Sequence, residues 1–262
     1  MNPAVALTVA GSDSGGGAGV QADLKTFAAH RVFGTSVLTA LTAQNTVGVR
    51  AIERVPPGFV AAQLDAVLDD LPVRAVKTGM LASAATVAVV AGYAGRLPNL
   101  VVDPVLVSST GQRLFDDDAA RAYLDVLFPH ASVVTPNARE AALLAGRTVS
   151  TVDEAVAAAE RLAKTGVRCV VVKGGHLDGG ADAVDVVWHA GAVELLRAPW
   201  VDTPNNHGTG CTFAAATAAR LAHGEALPDA LRAAKSYVHR ALAGSAGWRL
   251  GTGHGPLSWE VS

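Results

Sequence analysis

Apolar residues follow two rhythms that alternate along the chain. Short, nearly unbroken runs at residues 5–10, 73–77, 100–102, 132–135 and 168–173 predict strands buried on both faces. Pro104 and Pro136 close two of them. Between such runs the spacing lengthens to that of helices. Phe59, Val60, Gln63, Leu64, Val67, Leu68 and Leu71 share one helical face. Further helices are predicted over 19–30, 83–95, 116–128, 137–144, 151–165, 212–223 and 228–244. Thr151 suits a helix N-cap, three residues before Glu154. A further apolar run covers 35–42, and 183–188 with 192–198 predicts a hairpin around Gly191.

Strands and helices that alternate from end to end imply an α/β fold, a mostly parallel central sheet with helices on both faces. No linker, repeat or low-complexity block divides the chain, so one domain over 1–262 is expected. In such sheets ligands bind beyond the carboxyl ends of the strands. The chemically interesting stretches fall there: 11–19, 77–80, Asp103, Asn137, Lys173 and Asp202.

Composition narrows the partners. The 262 residues are 50% hydrophobic, enough for a sizeable core. Lys and Arg number 21 against 23 Asp and Glu, a net charge of −2, which argues against nucleic-acid or membrane-surface binding. Two cysteines, Cys169 and Cys211, exclude a disulfide scaffold and a four-thiolate zinc site. The start lacks a basic segment and no apolar stretch is long enough to span a bilayer, so a soluble cytoplasmic protein is expected.

Three motifs can carry chemistry. The first is the glycine-rich stretch 10–19, at a strand-to-helix junction where backbone can approach a ligand and helix N–H groups are free. It matches neither the P-loop nor the dinucleotide fingerprint, and a purely structural turn fits it equally. Asp23 and Lys25 after it also fit surface charges. The second is 202–211, where Gly208 and Gly210 free successive N–H groups to converge on an anion at a helix start. Cys211 then sits at the positive helix end, which favours a thiolate; the alternative is a small buried hydrophobe, the role expected of Cys169. The third is Asn137 with Glu140, one helix face with oxygen groups suited to the water shell of Mg²⁺, or else two surface residues. Lys173 ends a valine-rich strand, within reach of a phosphate or snorkelling to water. His176 and His207 lack metal-ligand partners at a recognisable spacing, so no zinc or iron site is assigned.

In order along residues 4–256, these stretches resemble the hydroxymethylpyrimidine and phosphomethylpyrimidine kinases of thiamine biosynthesis, within the ribokinase-like superfamily. The matching segments are 10–25, 41–46, 77–81, 102–105, 135–137 with Glu140, 173–176 and 207–212. The resemblance implies a ribokinase-like fold and a homodimer. It implies ATP- and Mg²⁺-dependent phosphorylation of 4-amino-5-hydroxymethyl-2-methylpyrimidine, then of its monophosphate. It places the pyrimidine at Gly11, Ala18, Asp23, Gln44 and Met80. Asn137, Lys173 and Thr209 fall on the nucleotide side, and Glu140, with Asn137 through water, on magnesium. Gly208 and Gly210 form the anion hole, and Cys211 stands where many ribokinase-like sugar kinases carry an aspartate base. The chain departs from the family pattern at Pro204, where a basic residue is common, at Asn206, where threonine is common, and at Arg139. Three other readings stay open: a pyridoxal or pyridoxine kinase of the same superfamily, a non-catalytic pyrimidine-binding protein, and a cysteine hydrolase.

Overall fold

The computed structural model describes residues 2–106, 117–175, 177 and 181–261. Asp116, the expected start of one helix, and His176 lie outside the described residues. The strands are β1 (Val5–Asp13), β2 (Phe33–Asn45), β3 (Gly48–Arg54), β4 (Val73–Thr78), β5 (Leu100–Val102), β6 (Val133–Val134), β7 (Cys169–Lys173), β8 (Asp182–His189) and β9 (Ala192–Pro199). The helices are α1 (Gly19–Ala29), α2 (Pro57–Leu68), α3 (Ala84–Gly92), α4 (Asp117–Ala122), α5 (Ala138–Ala145), α6 (Val152–Ala163), α7 (Thr209–Ala222) and α8 (Leu227–Ser245). Among the described residues no helix is long and apolar enough to cross a membrane.

The strands form one sheet in the order β3-β2-β1-β4-β5-β6-β7-β8-β9. From β2 to β7 every pairing is parallel, while β3, β8 and β9 run antiparallel at the two ends. The expected α/β architecture is therefore present, with antiparallel additions. Successive side chains of a strand face opposite ways. Leu7, Val9, Val76, Val102, Val134, Val170 and Val172 pack with Val60, Leu64, Val87, Val90, Leu144 and Leu162 on one face. Their neighbours Ala6, Ala75, Val101, Val133, Cys169 and Val171 pack with Phe27, Phe213, Leu231 and Tyr237 on the other. Burial on both sides explains the unbroken apolar runs.

Several expectations shift in detail. β1 continues to Asp13, so Gly11 and Ser12 are strand rather than loop. The segment expected as a helix over 116–128 is α4 followed by a π-turn (Tyr123–Leu127) and a 3₁₀ turn (Phe128–His130), which bury Tyr123, Leu127 and Phe128. The hairpin turns at Ala190 and Gly191, with φ of 51° and 86°, the left-handed pair that a two-residue turn demands. β3 has no counterpart in the sequence reading. Its residues are half-buried or exposed, so Val49, Ala51 and Ile52 make no clean alternation.

β1 feeds β2 on one side and lies beside β4 on the other, so the order of strands reverses between β1 and β4. That switch point opens a crevice at the carboxyl ends. α7 lies over it, packed on β4, β1 and β5 and on α1 and α8. Ala214, Ala215, Ala216, Ala218 and Ala219 are all fully buried in α7, so small side chains let this helix sit close to the sheet.

Candidate active site

A cavity of about 690 Å³ occupies the crevice, a size typical of small-molecule sites. Its floor is the row of strand ends. Asp13, Lys77 and Lys173, near the ends of β1, β4 and β7, and Asp103 and Asn137, just after β5 and β6, all line it. The N-terminus of α7 faces that row with Gly208, Thr209, Gly210 and Cys211.

At Gly208 the chain turns with φ 86°, and a Cβ there would lie 1.9 Å from the carbonyl oxygen of Gly17. Only glycine permits both the left-handed turn and this approach. The N–H groups of Gly210 and Cys211 belong to the first helical turn, where the helix itself provides no acceptor. Lys173 reaches the same turn: a Cβ at position 210 would meet Lys173 Nζ at 2.8 Å. Lys173 Nζ donates to Asp103 Oδ1 at 2.7 Å. Burial works against the Lys173 ammonium, but Asp103 and Glu140 outweigh it and hold its pKa above the usual lysine value. The Thr209 hydroxyl donates back to Asn206 O at 2.7 Å, which closes the turn.

Cys211 lines the cavity, but not as the expected thiolate. Burial is the main cause that pushes its thiol up to about 11; Lys77 opposes this, and Asp23 and Asp103 reinforce it. The helix dipole is outweighed by desolvation and by two carboxylates, so Cys211 is a neutral thiol near pH 7. Cys169 is fully buried in β7, the core role expected of it.

Asn137 and Glu140 form a capping box at the start of α5. Asn137 Oδ1 accepts from the Glu140 N–H at 2.9 Å, and Glu140 Oε2 accepts from the Asn137 N–H at 2.8 Å. Neither is a surface residue facing water alone: Glu140 is buried and both line the cavity. Asn137 Oδ1 is thus engaged, which leaves its NH₂ as the group to offer a ligand. Glu140 Oε1 accepts from the Leu106 N–H at 3.4 Å. Burial raises the Glu140 carboxyl to about 7, opposed by Lys173 and reinforced by Asp103.

Gly11, Ala18, Gln44 and Met80 form the opposite wall. A Cβ at position 11 would meet Met80 Cε at 2.5 Å, so the methionine lies flat across Gly11. Asp23 is not on the wall. It is fully buried beneath it, accepting from Lys77 Nζ at 2.8 and 2.9 Å and from Thr8 Oγ1 at 2.6 Å. The carboxylate is therefore neither the expected pyrimidine ligand nor a surface charge; it holds Lys77, which does line the cavity. Burial works against the Lys77 ammonium too, and the carboxylates of Asp23, which binds it directly, and of Asp103 raise its pKa above the ordinary value. Lys25 is exposed and donates to Gly16 O at 2.7 Å.

Three site residues escaped the sequence reading as side chains with a role: Asp13, Lys77 and His207. Asp13 collects the N–H groups of Gly15 at 2.8 Å, Gly17 at 3.1 Å and Ala18 at 2.8 Å, and His207 Nε2 at 2.8 Å. Burial would raise its carboxyl, but those hydrogen bonds, that from His207 first, hold it below the ordinary value. The clue in the sequence was an aspartate two residues before glycine, the pattern of an Asx-turn. Lys77 was visible only as a charge ending an apolar strand.

The geometry so far is that of a small-molecule site with an anion-binding helix end at one side. A family model described as "Phosphomethylpyrimidine kinase" matches residues 13–258. The chain belongs to that family. A hydroxymethylpyrimidine/phosphomethylpyrimidine kinase of Rhizobium meliloti is 49% identical over 257 residues, 97% of this chain and 96% of the relative. One from Bacillus subtilis is 41% identical over 97% of this chain and 93% of its own length. Among solved structures, a phosphomethylpyrimidine kinase of Clostridium difficile superimposes with TM-score 0.79 at 38% identity, covering 91% of this chain and 99% of that one. A pyridoxal kinase of Staphylococcus aureus, in complex with AMP-PCP and pyridoxal, gives TM-score 0.90 at 31% identity, over 99% of this chain and 94% of that one. Membership of this kinase family sets aside the non-catalytic and hydrolase readings.

Proposed function

We propose that this cavity transfers the γ-phosphoryl group of ATP to the hydroxymethyl oxygen of 4-amino-5-hydroxymethyl-2-methylpyrimidine, and then phosphorylates the monophosphate to the diphosphate. The chain is thus a kinase of thiamine biosynthesis. One observation carries the assignment of the site: the Lys173 ammonium lies against Gly210 in the first turn of α7, within the same cavity that Gln44 and Met80 line.

Phosphoryl transfer is catalysed mainly by positioning and by stabilising charge on the moving group. Gln44 and Met80 hold the ring, the first by its amide and the second by its apolar face. Lys173 and the Gly210 and Cys211 N–H groups receive the charge of the transferring phosphoryl oxygens. Asn137 Nδ2 donates to the nucleotide phosphates. Lys77, fixed by Asp23, sets a second positive charge on the floor. Cys211, as a neutral thiol, orients the attacking hydroxyl. A loose transition state leaves that proton in place until late, so a strong base is not required.

Magnesium fits the residues present. Asp103 and Glu140 both face Lys173, and burial, reinforced by Asp103, holds the Glu140 carboxyl above its ordinary range, so a cation there would be met by two acidic groups. Among the described residues no three ligating side chains gather around one point, which suits an ion that keeps its water. Glu140, with Asp103 beside it, would hold those waters; Mg²⁺ supplies charge neutralisation on the β- and γ-phosphate oxygens when bound with ATP. A homodimer belongs to the same reading, and sedimentation velocity tests it.

A coupled assay of ADP release with the hydroxymethylpyrimidine, its monophosphate and pyridoxal in parallel tests the substrate. Turnover of the first two above pyridoxal is expected. Preference for pyridoxal would instead favour the reading suggested by the TM-score of 0.90 to a pyridoxal kinase.

A further inference from the structure

His207 is a buried imidazole for which the mechanism above has no use, yet it touches both halves of the site. Its Nε2 lies 2.8 Å from Asp13 Oδ2 and 3.3 Å from the Gln44 amide nitrogen. The ring lies against Gly17, where a Cβ would meet His207 Cδ2 at 2.5 Å. Its backbone N–H donates to Gly255 O at 3.0 Å, and the next residue, Gly208, begins the anion hole.

The donor inventory fixes the proton. The Asp13 carboxylate already accepts three backbone N–H groups and is held ionised, so it is an acceptor only. His207 Nε2 must therefore carry hydrogen and donate it to Asp13. A second donor, the Gln44 NH₂, is then mismatched at 3.3 Å. Turning the amide over resolves the mismatch. Gln44 oxygen then shares the His207 proton, and the NH₂ faces Thr42 Oγ1, 3.2 Å from the other amide atom. Thr42 can accept there, because its own hydrogen goes to Ser12 O at 2.9 Å. The amide orientation on the pyrimidine wall is thus dictated by one N–H.

We propose that His207 is a positioning residue: its Nε2–H, anchored on Asp13, sets the Gln44 amide while its backbone leads into the anion hole, so ring recognition and phosphoryl transfer are held in one register. This inference rests on the pyrimidine reading of the site.

The test is a double-mutant cycle of His207→Leu and His207→Gln with Gln44→Ala. Pyrimidine affinity is measured by calorimetry without ATP, and kcat and both KM values by steady-state assay. Gln44→Ala is expected to weaken pyrimidine binding about tenfold in the wild-type chain, the effect of one lost hydrogen bond. In the His207→Leu background the same change should cost less than about threefold, because neighbours in one network do not add. His207→Leu should lower kcat about 10²-fold, as expected for a misplaced reacting group, with the ATP KM nearly unchanged. His207→Gln, which retains an N–H near the same place, should recover most of both effects. Equal costs of Gln44→Ala in the two backgrounds, or a His207→Gln enzyme no better than His207→Leu, would overturn the inference. So would a lowered melting temperature with wild-type kcat. If His207→Leu does not fold, His207→Asn, too short to reach Asp13, replaces it in the cycle. A wild-type chain that turns over neither pyrimidine removes the underlying reading, whereas an active wild type with an additive cycle removes this inference alone.

Discussion

The two glycine-rich loops of this chain look alike in sequence and do opposite things. In residues 13–18 the N–H groups of Gly15, Gly17 and Ala18 turn inward onto the Asp13 carboxylate. In residues 207–211 no carboxylate bonded to the Gly210 or Cys211 N–H is seen among the described residues, and Gly210, in the first turn of α7, lies against Lys173. The first loop carries its own anion; the second is built to receive one. Glycine alone therefore does not announce an anion site. What decides is whether an acidic side chain nearby already fills it.

The strongest way to break this contrast is to put a methyl on each loop at a left-handed glycine. Gly208→Ala strains φ 86° and meets Gly17 O, so kcat/KM should fall about 10³-fold, as when a charge-stabilising site is lost. Steady-state kinetics decide it; activity within tenfold of wild type would mean that the second loop is no more specialised than the first.

Cys211→Ala comes next, with kcat lower by about 10²-fold and pyrimidine KM changed far less. The pH profile sharpens the point. With a thiol pKa of about 11, a required thiolate would make kcat climb tenfold per pH unit from 7 to 9. A thiol that orients the hydroxyl in its protonated form predicts a flat kcat over that window, and a rising line would reinstate Cys211 as the base.

Glu140→Gln retains the capping-box acceptor and removes the charge. We expect about a tenfold higher magnesium requirement, roughly 1.4 kcal/mol, with an unchanged melting temperature. An identical magnesium titration for both chains would take Glu140 off the metal.

Asp13→Asn tests the self-filled loop through stability rather than turnover. It should cost about 1–3 kcal/mol, read from denaturant midpoints. Because the folded carboxyl lies below its ordinary 3.8, its contribution is complete above that value and fades as pH falls through the folded pKa. The wild type should therefore lose its advantage over Asp13→Asn in strong acid, and a constant gap down to pH 2 would refute the charge argument. Smallest of all is Gly16→Ala, with φ 76° but only Lys25 Nζ within reach of the new Cβ, at 3.5 Å. About 1–2 kcal/mol of backbone strain and near-normal kinetics are expected.

Much of the fold could be read from periodicity because strands buried on both faces and amphipathic helices leave distinct patterns. β3 could not, since an exposed edge strand has no buried face to impose alternation. The site was legible as a set of strand ends and less so as chemistry. Asn137 and Glu140 were rightly seen as neighbours on one helical turn, but their spacing is also that of a capping box, and both uses coincide. Asp23 shows the limit most clearly. Its partner Lys77 is 54 residues away in sequence, and only the folded chain, which brings the two side chains together, reveals that the pair is internal. Removing either partner would leave an uncompensated buried charge, at a cost of about 3–5 kcal/mol. Cys211 likewise sits at the helix end that favours a thiolate, and what reverses this, burial first and then the Asp23 and Asp103 carboxylates, comes from other elements.

The alanines of α7 carry a consequence of their own. Because Ala214, Ala215, Ala216, Ala218 and Ala219 have almost no side chain to compress, the distance from helix axis to sheet is a fixed spacer, and the anion hole rides on its end. A single added methylene anywhere along that spacer would tilt or lift the helix, so positions two or three turns from any reactant govern the height at which the phosphoryl group is met. Tolerance to substitution should then follow depth along the helix rather than distance from the substrate.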